Sequence, residues 1–136
     1  MYVLDTNVFI DAANTYYAFD LTPGYWDFIV RLFDSQRAVS ITHVYDELVR
    51  EDDEDPLKVW AKRNSKHFFV PDDLVVASYQ QVMRWARGQS YKLSAINDFQ
   101  SVADSWIVAH ALAYGRVVVT REKPAPGSKK RIKIPD

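Results

Sequence analysis

The chain has no cysteine, only 3 histidines, no charge imbalance and no long apolar run. The missing cysteine excludes disulfides and thiolate metal sites. The longest apolar stretches fall well short of the roughly 20 residues that span a bilayer, so no membrane role is expected. With 17 basic and 18 acidic side chains the net charge is −1, so the molecule is no polycation. A nucleic-acid role would need a local basic patch, or cations that offset the acids. Met1 runs straight into an apolar strand with no basic-then-apolar leader, and the expected compartment is cytoplasmic. No internal repeat is visible.

What is present suits one domain over residues 1–136, long enough to bury a substantial core. Aromatic residues make up 14% of the chain, including 4 Trp and 8 Tyr. They serve as bulky core filler or as an aromatic surface for a partner chain, a homodimer included.

Along the chain, residues 2–4 read as a buried strand, followed by the cap residues Asp5-Thr6-Asn7 and a helix from Val8. Residues 13–24 form an aromatic and polar link ending in the turn Thr22-Pro23-Gly24. Trp26, Ile29, Val30 and Phe33 have helical spacing. Residues 38–41 are a second strand, and Thr42 caps a helix to about Arg50. The acidic run 51–55 reads as a solvated loop that caps the next helix, with Pro56 in its first turn, extending to about Lys66. Residues 67–70 are a third strand, and Asp72 or Asp73 starts a helix to about Gly88. Residues 89–100 read as loop. Ser101 opens a helix that stops at Gly115. Residues 116–120 are the last clear strand, with an edge strand around Ile132 and Ile134. Alternating strands and helices predict a three-layer α/β/α fold with a mostly parallel sheet.

In such a sheet, ligands bind beyond the carboxyl ends of the strands. Four acids should share that rim. Asp5 ends the first strand, Glu122 follows the last, and Glu47 and Asp104 lie early in helices that start there. Asp104 has Ile107, Val108 and Ala111 at i+3, i+4 and i+7, an apolar face on which a carboxylate is costly unless paired or metal-bound. It is also the third residue after Ser101 in a Ser-x-x-Asp capping box, and the two roles can coexist. Glu47 borders the buried face set by Ile41, Val44, Tyr45 and Leu48, whereas Asp46 points away. His43 and His110 read as ordinary helix residues. Converging carboxylates without Cys, and with no suitably placed His, select a hard cation, Mg²⁺ or Mn²⁺. Phosphotransfer through Asp5 would want a second Asp two residues on, where Asn7 stands.

The string Val3-Leu4-Asp5-Thr6-Asn7-Val8-Phe9-Ile10-Asp11 resembles the opening of a PIN domain, the nuclease module of VapC-type toxins. Residues 41–48, 103–111 and 118–122 resemble its later motifs, in order. The resemblance implies metal ligation by Asp5, Glu47 and Asp104, with Asn7 and Thr120 as polar helpers. Glu122 stands where the family usually has Asp. The tail Lys133-Ile134-Pro135-Asp136 resembles a less characterised PIN-like branch, which makes Asp136 a candidate fifth acid. Lys123, Lys129, Lys130, Arg131 and Lys133 are either a solvated loop or a phosphate-tracking strip beside the rim. The implied function is a metal-dependent endoribonuclease, the toxin of a pair with a small antitoxin protein. The alternative is a PIN-like binding module without catalysis.

Overall fold

The computed structural model describes residues 1–14, 23–50 and 55–121. Among these residues, four strands, β1 (Tyr2–Leu4), β2 (Ala38–Ile41), β3 (Phe68–Phe69) and β4 (Val117–Val119), form one sheet in the order β3-β2-β1-β4. Every pairing is parallel, with Val3 beside Val39 and Val118. Among the described residues, seven α-helices flank it: α1 (Thr6–Ala13), α2 (Pro23–Asp34), α3 (Thr42–Val49), α4 (Pro56–Arg63), α5 (Asp73–Arg87), α6 (Leu93–Ser101) and α7 (Ala103–Tyr114). The three-layer α/β/α architecture expected from the alternation is therefore the one adopted. Among the described residues, no helix is long and apolar enough to cross a membrane.

The core explains the local sequence. All of β2 is buried, as the short apolar run of a two-faced parallel strand requires. Phe9, Trp26, Phe33, Trp60 and Phe68 pack on it, so much of the aromatic content is core filler. A second cluster joins α5, α6 and α7 through Val82, Met83, Phe99 and Ala109. Trp106 packs against both clusters.

Several boundaries follow the cap chemistry. The Asp55 and Asp72 carboxylates accept from Leu57 N and Val75 N, starting α4 and α5. Gly115 ends α7 with φ 63°, a left-handed conformation that suits glycine.

Other expectations are corrected. Residues 93–101 are helix α6 rather than loop, because Ala95, Ile96 and Phe99 bury one face against α5 and α7. Ser101 therefore ends α6 instead of opening α7, and its hydroxyl donates to Asp98 O at 3.0 Å. The cap position of α7 is Val102, so Ser101 is not the cap of a box with Asp104. Thr42 is the first residue of α3, whose cap position is Ile41 without a side-chain bond. The expected edge strand near Ile132 lies outside the described residues, as does most of the acidic run 51–55.

Candidate functional site

The strand order reverses between β1 and β4. From β1 the chain builds outward through β2 and β3, then returns to the other side of β1. In open α/β sheets the crevice at such a switch point, beyond the strand ends, is where ligands bind. Asp5 and Thr120 immediately follow the two strands that meet there. Asp5 N donates to Val119 O at 3.0 Å, carrying the pairing one residue past the sheet.

Asp5 is 2% exposed. Its Oδ1 accepts from Thr6 N at 2.7 Å, and its Oδ2 accepts from the Thr120 hydroxyl at 2.8 Å. It is at once the cap of α1 and the centre of the rim. A buried carboxylate needs such donors, because desolvation penalises its charged form.

Thr6 carries the network onward. Its hydroxyl donates to Glu47 Oε2 at 2.6 Å, a short charge-assisted bond. Glu47 Oε1 accepts from Ala103 N at 3.1 Å. Val102, the cap residue of α7, has no side chain able to accept, so Glu47 caps that helix from another element. Asp104 is half-buried in the same first turn, while Ile107 on its apolar face is fully buried. Asp46 is exposed, as its helical position predicts.

Asn7 supports the other flank. Its Nδ2 donates to Thr120 Oγ1 at 3.3 Å, and its Oδ1 accepts from Arg121 N at 3.0 Å. The Arg121 side chain pairs with Asp11 at 3.6 Å, an exposed contact of small energetic weight. Two continuous paths thus leave Asp5, one through Thr6 and Glu47 to α7, the other through Thr120 and Asn7 to Arg121.

The donor chemistry fits a hard cation: carboxylates from Asp5, Glu47 and Asp104 beside hydroxyl and amide oxygens. Each carboxylate oxygen has about two acceptor sites, so those already bonded keep capacity. Among the described residues, however, no three His, Asp or Glu side chains close into a ready-made metal cluster. Asp5 and Glu47 are instead held by protein donors on both oxygens. Glu122, Asp136 and the basic residues Lys123, Lys129, Lys130, Arg131 and Lys133 lie outside the described residues.

Sequence reasoning passed over two rim residues. Thr6, one of the cap residues of α1 in the sequence, links the two acids. Arg121 lies at the rim itself, ahead of the basic residues from Lys123 to Lys133. Its position next to Thr120 was the available signal.

Among the described residues, no histidine joins the hydrogen bonds of the rim. His43 is pushed below its ordinary value by burial, against the opposing charges of Asp46 and Glu47. His110 is also lowered, by burial and then by Arg116, against Asp72. Arg116 Nη1 lies 2.7 Å from His110 Nε2. A guanidinium only donates, so Nε2 accepts and the ring is neutral. His110 and Arg116 line a cavity of about 360 Å³ with Met1, Phe33 and Tyr114. Met1 and Arg116 precede β1 and β4, so this cavity sits at the opposite end of the sheet from Asp5. It shares no residue with the acidic rim.

The family model described as a domain of unknown function (DUF4411) matches residues 2–136. No curated protein and no solved structure matches the chain.

Proposed function

The chain belongs to the DUF4411 family, and from the chemistry of its rim we propose that it is a metal-dependent endoribonuclease of PIN type. The observation that carries this reading is the hydrogen-bonded path Thr120–Asp5–Thr6–Glu47–Ala103. It draws residues from four distant parts of the sequence to one switch point. A core that needed only stability would not gather two carboxylates there, since each adds a desolvation cost.

Asp5, Glu47 and Asp104 are the residues that would hold Mg²⁺ or Mn²⁺, with Glu122 or Asp136 as a further ligand. Bound there, the cation would offset the acids, engage a phosphodiester oxygen and lower the pKa of a water. The protein's own part is positional. Thr6 and Thr120 fix the Asp5 carboxylate, and Asn7 holds Thr120 and the backbone of Arg121. The Arg121 guanidinium would meet a phosphate, and Lys123, Lys129, Lys130, Arg131 and Lys133 would extend that contact along RNA. The resemblance to PIN toxins extends the proposal to a small antitoxin protein as partner.

Incubation of the protein and of Asp5→Asn with structured RNAs in Mn²⁺ or Mg²⁺ tests this reading. Asn caps a helix as well as Asp does, so the variant should fold. Cleavage by the wild type and its loss in the variant are expected. Equal cleavage by both proteins would sink the proposal.

The second reading, a binding module without catalysis, is favoured by one observation: the oxygens of Asp5 and Glu47 are already bonded within the protein. Absence of Mn²⁺ binding by calorimetry at millimolar concentration would support it.

A further inference from the structure

Three rings form a column beside the acidic rim. His43 lies on Trp106 with centroids 4.7 Å apart and planes 10° from parallel. Tyr79 lies on the other face of the column, 3.9 Å from Trp106 and 8° from parallel. They come from three helices, α3, α7 and α5. Trp106 is anchored against both core clusters, so the middle of the column is fixed.

The column ends at the rim. His43 is the second residue of α3, one turn before Glu47 on the same helix face, where side chains sit about 5–6 Å apart at Cβ. Trp106 is two residues past Asp104 in the first turn of α7. The Glu47 bond to Ala103 N ties together the two helix ends that carry these rings. His43 has Trp106 as its ring partner and no other among the described residues. Its Nδ1 is buried without a hydrogen-bond partner among them. Stacking on Trp106, rather than a polar bond from Nδ1, therefore orients the imidazole.

We propose that the outer face of His43 is a stacking platform for one unpaired nucleobase of the RNA, held beside Glu47 and Asp104. The choice of ligand rests on the ribonuclease reading above. Aromatic faces accept any base, and bases are available for stacking in single strands and loops rather than in duplexes. The ring is held by stacking and its Nδ1 makes no hydrogen bond, so the platform works through its π face. His43 would thus act as a positioning residue: it sets which nucleotide lies against the acids and selects single-stranded over paired substrate.

The test uses short single-stranded oligoribonucleotides carrying 2-aminopurine, or an abasic residue, at one position moved along the strand. Binding is read in the Asp5→Asn background with Mg²⁺ present, for His43, His43→Ala and His43→Phe. At one position the protein should quench 2-aminopurine and prefer the base over the abasic site by about tenfold. His43→Ala should lose the quenching and the preference, and His43→Phe should restore both. In the cleaving protein, His43→Ala should raise KM more than it lowers kcat. Thermal melts establish that each variant is folded. Equal base preference in folded His43→Ala, failure of His43→Phe to restore it, or no binding of single-stranded RNA would overturn the proposal. Quenching that depends on His43 would support it even where wild type and Asp5→Asn cleave alike, the outcome that defeats the catalytic reading alone.

Discussion

Thr6→Val should uncouple the two acids without disturbing the shape of the rim. Valine is nearly isosteric, but it removes the hydroxyl that donates to Glu47 Oε2 at 2.6 Å. Hydrogen bonds to charged groups contribute about 1.5–3 kcal/mol. Thr6 is 8% exposed, so water does not replace the lost donor from its side. Glu47 is half-buried and partly rehydrates, which moves the expected loss to about 1–2 kcal/mol. For a chain of this length that lowers Tm by roughly 3–6 °C. Thr6→Ser keeps the hydroxyl and should recover most of it. A double-mutant cycle with Glu47→Ala isolates the pair, and urea unfolding of the four proteins should give a coupling energy of about 1 kcal/mol or more. Additive effects within about 0.3 kcal/mol would refute the bridge, because independent sites add to that precision. A Thr6→Ser protein as unstable as Thr6→Val would also refute it.

Acid should destabilise the protein in part through His110. Its pKa is lowered from 6.5 in the fold, so the unfolded chain binds more protons once pH falls below that value, and stability drops as pH falls. Denaturant titrations from about pH 7.5 to about pH 5.5 should show a shallower decline for His110→Gln, and an unchanged slope would discount this contribution. Gly115→Ala should cost about 1–2 kcal/mol in chemical denaturation, since L-residues resist left-handed backbone. The added Cβ meets nothing within 4 Å, so the cost is conformational and no loss of stability would mean the turn differs. Millimolar Mn²⁺ should raise the melting temperature of the wild type by mass action and leave Asp5→Asn unmoved. Equal shifts by scanning calorimetry would remove Asp5 from the ligand set.

The alternation of strands and helices was legible because each strand is a short apolar run bounded by cap or turn residues. Asp55, Asp72 and Gly115 marked their boundaries by chemistry that acts within a few residues. Helix α6 was missed because its opening, Lys92-Leu93, offers no side-chain cap and Leu93 is exposed. Without α6, the start of α7 shifts by two residues and Ser101–Asp104 reads as a capping box. The acceptor that α7 does receive comes from Glu47, 56 residues earlier. Asp5 and Glu47 were legible as rim acids, because strand ends and helix starts follow from topology. Their joint contact with Thr6 was not, since it depends on how α1 and α3 pack.

By itself the sequence determined the α/β class, the parallel sense of the sheet and the edge at which Asp5 and Glu47 lie. These follow from local periodicity and from the direction in which each helix must run. Only the tertiary structure decided that β1 and β4 are neighbours, which puts Asp5 against Thr120 at the switch point. It also decided that Glu47 caps α7 and that His43, Trp106 and Tyr79 share one column. Such contacts join residues tens to more than a hundred positions apart. Whether they form depends on helix packing around a common core, which no local pattern encodes.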